Sequence, residues 1–130
     1  MTRDDVQRWL DRYVSAWLAY DPPAIGELFT TDAEYLYHPW DEPVKGRDAI
    51  VGDWLNPADD AANRDKPGTV EASYPCFAAD GERAVAVGQT RYRDEPGGAI
   101  SRRFENVWLM EFAPDGRCRS FIEHYMQPKR

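Results

Sequence analysis

Val6, Trp9, Leu10, Tyr13, Val14, Trp17 and Leu18 recur at i, i+3, i+4 and i+7, with Asp4, Asp5, Gln7, Arg8, Asp11, Arg12 and Ser15 on the other positions. This period predicts an amphipathic helix of about four turns with aromatic rings in its buried stripe. Thr2 followed three residues later by Asp5 resembles a capping box. Asp21-Pro22-Pro23 breaks that helix and starts a second, with Asp21 as N-cap and Pro at the first helical position. Ala24, Ile25, Leu28 and Phe29 form its short apolar face, and Thr30-Thr31-Asp32 is expected to end it.

Tyr35, Leu36 and Tyr37 predict a short strand over 33–38, stopped by Pro39. Pro43 to Gly46 reads as a turn, and Ile50, Val51, Trp54 and Leu55 place a third helix over 47–55. Residues 56–69 lack apolar periodicity and form a long loop, of the kind that serves as a lid or stays disordered. From Val70 the period changes to two. Strands are expected over 70–78, 83–93, 99–112 and 117–126, separated by Asp80-Gly81, Glu95-Pro96-Gly97-Gly98 and Pro114-Asp115-Gly116. Helices grouped before an antiparallel meander point to the α+β class. A curved antiparallel sheet closed on one side by the first helix would enclose a cone with an apolar interior.

Composition narrows this. The 130 residues suit one domain spanning 1–130, and 42% apolar with 13% aromatic content supports a packed core. The net charge is −7, unevenly spread: 5 basic and 13 acidic groups in residues 1–60, against 11 and 10 in 61–130. An acidic chain with no basic stripe is not expected to bind nucleic acid. No apolar run approaches the roughly 20 residues that span a bilayer, and no signal peptide is expected, so a cytoplasmic protein without membrane contact is the reading. Cys76 and Cys118 are then two free thiols. Neither they nor His38 and His124 have metal-ligand spacing, so no metal or other cofactor is expected.

At this point the chain resembles the nuclear transport factor two-like superfamily, with its SnoaL-like polyketide cyclases, ketosteroid isomerases and scytalone dehydratase. The resemblance rests on Tyr13-Val14 with Asp21, Ile25, Leu28-Phe29, Thr31-Asp32-Ala33, His38-Pro39, Gly46-Arg47-Asp48-Ala49-Ile50, and Met110-Glu111-Phe112 before Asp115-Gly116-Arg117. It implies a cone-shaped sheet wrapped around N-terminal helices, and it marks fold rather than activity.

Site candidates follow from it. Tyr13 falls where ketosteroid isomerases carry a first-helix tyrosine that donates to an oxyanion. The family's general base is an aspartate before a proline at the end of the first strand; here that place holds His38. The second oxyanion donor, an aspartate on the long strand, is replaced by Trp108. Both isomerase carboxyl groups are thus missing. Tyr20-Asp21 resembles the Tyr-Asp pair of scytalone dehydratase, whose catalytic histidines have no counterparts. The resemblance also turns Arg102, Phe104, Asn106, Trp108 and Met110 inward, with Phe121, Glu123 and Tyr125 on the last strand. His124 faces away, toward the sheet surface that forms the family's dimer.

Glu123 lies within the aromatic run 121–125, and a carboxyl in an apolar cavity must be paired or hold its proton. Arg102 is the expected partner, and a salt bridge at the cavity rim is the plainer alternative to proton transfer. His38 could move a proton at neutral pH or simply bond a backbone carbonyl. Tyr13 could polarise a substrate oxygen or serve only as core. Catalytic candidates are therefore His38, Glu123 and Tyr13. Trp17, Tyr37, Trp54, Arg102, Asn106, Trp108, Phe121 and Tyr125 are the ligand-binding ones. The expected function is cofactor-free isomerisation, cyclisation or dehydration of a small, mainly apolar ring or carbonyl compound by a homodimer. The alternative is a non-catalytic hydrophobic-ligand-binding or dimeric interaction module. An epoxide hydrolase of the limonene type would need an Asp-Arg-Asp set that the inward residues do not supply.

Overall fold

The computed structural model describes residues 1–55 and 68–128. Helix α1 (Arg3–Ala19) opens on the expected capping box: the Asp5 amide donates to Thr2 Oγ1 at 3.1 Å and the Thr2 amide to Asp5 Oδ2 at 2.9 Å. These bonds satisfy two of the donors that a helix start leaves free. Val6, Trp9, Leu10, Tyr13 and Ala16 form the buried stripe, while Leu18 stays 41% exposed. The helix ends at Tyr20, whose left-handed backbone (φ 50, ψ 39) reverses the chain before the two prolines can enter the helix. Helix α2 (Pro22–Glu27) follows, with Asp21 at its N-cap position but making no side-chain capping bond.

Strand β1 (Phe29–Leu36) starts four residues earlier than expected. Thr30-Thr31-Asp32 does not end a helix there but continues a strand, because Phe29 and Ala33 are both buried against the core and the strand is tied to β7 (Cys118–Met126). The expected turn at 43–46 contains a two-residue strand, β2 (Val44–Lys45), paired antiparallel with β1. Helix α3 (Arg47–Trp54) buries Ile50.

The expected strand over 70–78 is two strands, β3 (Val70–Ser73) and β4 (Cys76–Asp80), and both pair with β5 (Arg83–Arg93). Tyr74-Pro75 breaks them apart where the chain crosses Gly88. A Cβ at Gly88 would stand 2.0 Å from the Ser73 carbonyl oxygen and 2.6 Å from Tyr74 Cδ1, so only glycine admits this approach. Strand β6 (Ile100–Phe112) completes the set.

The strand order is β2-β1-β7-β6-β5-β3, with β4 also on β5. The sheet is curved and does not close on itself. It is mixed rather than purely antiparallel, because β1 runs parallel to β7. That pairing joins a strand from the helical half to the last strand, and nothing in the local pattern of either announces it. Trp9, Tyr35, Phe29, Trp108, Phe112 and Phe121 are fully buried between sheet and helices. Truncating any one to alanine would cost roughly 3–5 kcal/mol. Cys76 and Cys118 are both buried free thiols, and burial pushes the Cys118 thiol up to about 12.

Candidate active site

A cavity of about 540 Å³ opens between α1, α3 and the concave sheet face. That volume suits a small organic ligand. Because side chains alternate along a strand, one face of β6 sends Arg102, Phe104, Asn106 and Trp108 into it, and β7 sends Glu123 and Tyr125. The register sets Trp108 opposite Glu123 and Asn106 opposite Tyr125. Thr90 and Tyr92 of β5 line it from beside Phe104 and Arg102. Helix α1 contributes Tyr13 and Trp17, and the residue that caps it Tyr20; Tyr35 and Tyr37 come from β1 and its exit, and Asp53 and Trp54 from α3.

Two tyrosine hydroxyls meet in the wall. Tyr13 Oη and Tyr35 Oη share a hydrogen bond of 2.6 Å, and both rings lie nearly parallel to Phe121, at centroid distances of 5.0 and 4.8 Å. Burial raises both hydroxyl pKa values well above the ordinary range, with the nearby Glu123 adding to the shift. They stay protonated, so one of the two hydrogens is always free to donate elsewhere.

Glu123 is the second centre. Burial pushes its carboxyl up to about 8, opposed only by the Trp108 side chain. Trp108 Nε1 is itself buried with no partner at ordinary hydrogen-bond geometry, so it offers Glu123 weak support at best. Arg102 is not the partner expected from the sequence. It sits six positions along β6 from Trp108, about 20 Å of extended chain. Its guanidinium lies over the Tyr92 ring at 4.5 Å and beside Phe104 at 5.9 Å. Alternation puts both residues on one face, but strand length separates them.

A third network stiffens the wall. Asn106 Nδ2 donates to Tyr74 Oη at 2.6 Å, and Tyr74 Oη and Thr90 Oγ1 lie 2.5 Å apart. The Tyr74 ring stacks on Trp108 at 3.6 Å. Burial raises the Tyr74 hydroxyl to about 12. Asn106 Oδ1 is buried without a partner among the described residues.

The remaining candidates separate. Tyr37 donates to Asp53 Oδ2 at 2.6 Å on the cavity wall. Phe121 is fully buried behind Tyr13 and Tyr35 and does not line the cavity. His38 lies outside the lining: its Nδ1 is 2.9 Å from Asp41 Oδ2, and its ring stacks on Trp40 and meets the rim residue Tyr125. Sequence reasoning missed Tyr35, Asp53, Thr90 and Tyr92 in the lining and Tyr74 behind it. For Asp53 the signal was available, since it directly precedes Trp54 at the end of the predicted third helix. The long loop expected over 56–69 lies outside the described residues except for its last two. Among the described residues no helix is long and apolar enough to cross a membrane, and no group of three or more His, Cys, Asp or Glu could hold a metal ion.

The curved sheet over N-terminal helices is a fold that the chain shares with NTF-2-like solved structures. The chain belongs to the SnoaL-like domain family, whose pattern matches residues 10–121. Among solved structures it is similar to an NTF-2-like protein of unknown function from Burkholderia xenovorans LB400, at 19% identity and TM-score 0.69, covering 98% of this chain and 87% of that one. It is equally similar in fold to a protein from Kribbella flavida DSM 17836 described as a "putative ketosteroid isomerase" (15% identity, TM-score 0.69, 98% and 82% covered). No curated protein matches the chain in sequence.

Proposed function

We propose that the cavity performs cofactor-free proton transfer on a small, mainly apolar ring compound next to a carbonyl or hydroxyl. The observation that carries this reading is Glu123. Its carboxyl has no cationic partner among the described residues, its pKa is raised to about 8, and it stands near the paired hydroxyls of Tyr13 and Tyr35. At pH 7 such a group keeps its proton, so it can act as an acid where an ordinary glutamate could not. In a dehydration, Glu123 protonates the leaving hydroxyl as the C–O bond breaks. The pair of electrons from the neighbouring C–H bond forms the C=C bond, and that proton returns to Glu123, which leaves water as the second product. In an isomerisation or cyclisation the same group moves a proton at carbon while the Tyr13–Tyr35 pair donates to the oxygen that gains charge.

His38 is not needed in this scheme, because its ring is turned to Asp41 and Trp40. The alternative of a pure interaction module is disfavoured by the open volume of about 540 Å³, which the tryptophans do not fill. Incubating the protein with ring ketones, hydroxy-ketones and aromatic polyketide fragments, with mass and isomer analysis, tests the proposal. Turnover that Glu123→Gln abolishes supports it; a ligand bound tightly and recovered unchanged throughout the panel assigns the cavity to binding instead.

A further inference from the structure

Arg102 stands out among the arginines of the sheet. Arg83 pairs with Glu111, Arg93 with Glu71, Arg103 with Glu105 and Arg119 with Glu82. In a chain with 23 acidic side chains, carboxylate partners are plentiful. Arg102 nevertheless makes no ion pair or hydrogen bond among the described residues, and it is the one cation among the described lining residues of the cavity. Its guanidinium is held over Tyr92 and beside Phe104, with centroid distances of 4.5 and 5.9 Å. Ring faces hold a guanidinium plane without using its N–H groups, so the edge that forks onto a carboxylate stays free. The two carboxyl groups of the lining do not compete for it. Asp53 accepts from Tyr37, and Glu123 faces Trp108, at the other end of the strand from Arg102.

We infer that the cavity takes a ring compound bearing a carboxylate, and that Arg102 at its mouth grips that carboxylate while the ring system lies between Trp108 and Tyr92. The inference rests on the reading of the cavity as a site for apolar ring compounds and adds the charge that such a compound carries. The carboxylate stays at the rim in contact with water, where a guanidinium neutralises it. The uncharged part of the ligand reaches inward to Glu123 and the tyrosine pair. A dianionic or doubly substituted ligand would place a second charge against a neutral, desolvated wall and be rejected.

The test is a titration followed by quenching of tryptophan fluorescence, since Trp17, Trp54 and Trp108 all line the cavity. The probes are benzoate, 2-naphthoate and anthracene-2-carboxylate, each beside its methyl ester, with wild type, Arg102→Gln and Arg102→Lys. Wild type is expected to bind the best carboxylate about tenfold more tightly than its ester at low salt, and the preference to shrink as salt rises. Arg102→Gln should weaken carboxylate binding about tenfold more than ester binding and so abolish the preference, whereas Arg102→Lys keeps part of it as a point charge without the fork. Esters that bind with no carboxylate preference, or a preference that survives Arg102→Gln, overturn the role of Arg102 and leave the cavity reading standing. Failure of every ester and every acid to bind overturns both. Arg102 is exposed, so its variants should fold, and an unchanged melting temperature for each confirms that the comparison is fair.

Discussion

The hydroxyls of Tyr13 and Tyr35, one from the first helix and one from the first strand, meet at 2.6 Å in the wall of the cavity. Each anchors the other, and the pair retains one hydrogen for an oxygen in the cavity. Tyr13→Phe and Tyr35→Phe should each destabilise the fold by about 1 kcal/mol, and the double variant by less than the sum, because the second loss removes a partner already stranded. If the pair polarises a substrate oxygen, Tyr13→Phe should also lower turnover by roughly 10²-fold. Denaturant titration of the three variants checks the first statement, and steady-state kinetics the second.

Glu123 makes stability fall as pH rises. The folded protein holds this proton more tightly than the unfolded chain, in which the carboxyl titrates near its ordinary 4.5. Below that pH both states are neutral there and nothing is lost. Between about 4.5 and about 8 the unfolded chain ionises first, and keeping the group buried costs progressively more. Above about 8 the cost levels off, on the order of 5 kcal/mol. Glu123→Gln should therefore match wild type at pH 4.5 and exceed it at pH 9 in thermal or urea unfolding. Its turnover should fall by about 10²-fold or more, and wild-type activity that needs the acid form should decline above pH 8.

Gly88→Ala should be among the most damaging small substitutions in the sheet. The new methyl would meet the Ser73 carbonyl and the Tyr74 ring at 2.0 and 2.6 Å, and backbone cannot yield as a flexible side chain can. A loss of about 3 kcal/mol is expected. It should be accompanied by faster amide exchange in β3 and β4, which pair with β5 on the two sides of that contact.

Tyr74→Phe removes the hydroxyl that Asn106 donates to and that Thr90 touches. Two buried polar groups then lose their partner, at a cost of about 1–3 kcal/mol. The ring remains to stack on Trp108, so the cavity should keep its shape while Asn106 becomes free to bond a ligand. Ligand affinity that rises while melting temperature drops would show this exchange.

The outer face of the sheet brings Val87 beside Val107, and Leu109 between Val85 and Ile122. Val87 and Leu109 are 40% and 38% exposed. We propose that this face joins two copies of the chain. Sedimentation should show a dimer at micromolar concentration and a monomer for Leu109→Lys; a monomeric wild type would remove the proposal.

Much of this could be read before any coordinates. The first helix, the strands over 83–93 and 99–112 and the hairpin turns follow from local period and from Gly-containing turns. The inward face of β6 follows from alternation once one residue of it is assigned. The start of β1 could not be read so, because Thr30-Thr31-Asp32 favours a stop locally and is overridden by pairing with β7. Nor could the split at Tyr74-Pro75, which depends on Gly88 across the sheet.

The site divides in the same way. Sequence alone determined which residues could carry chemistry: a tyrosine in a helical apolar stripe, a glutamate in an aromatic run, an arginine on an inward strand face. It did so because helix and strand period fix which side chains share a face, while the family resemblance chose the face that turns inward. Only the tertiary structure decided which of them meet. It paired Tyr13 with Tyr35, turned His38 to Asp41, left Glu123 with no cation among the described residues and parked Arg102 on aromatic rings. Those outcomes depend on strand register and on distances between elements far apart in the chain, and neither quantity is written in local sequence.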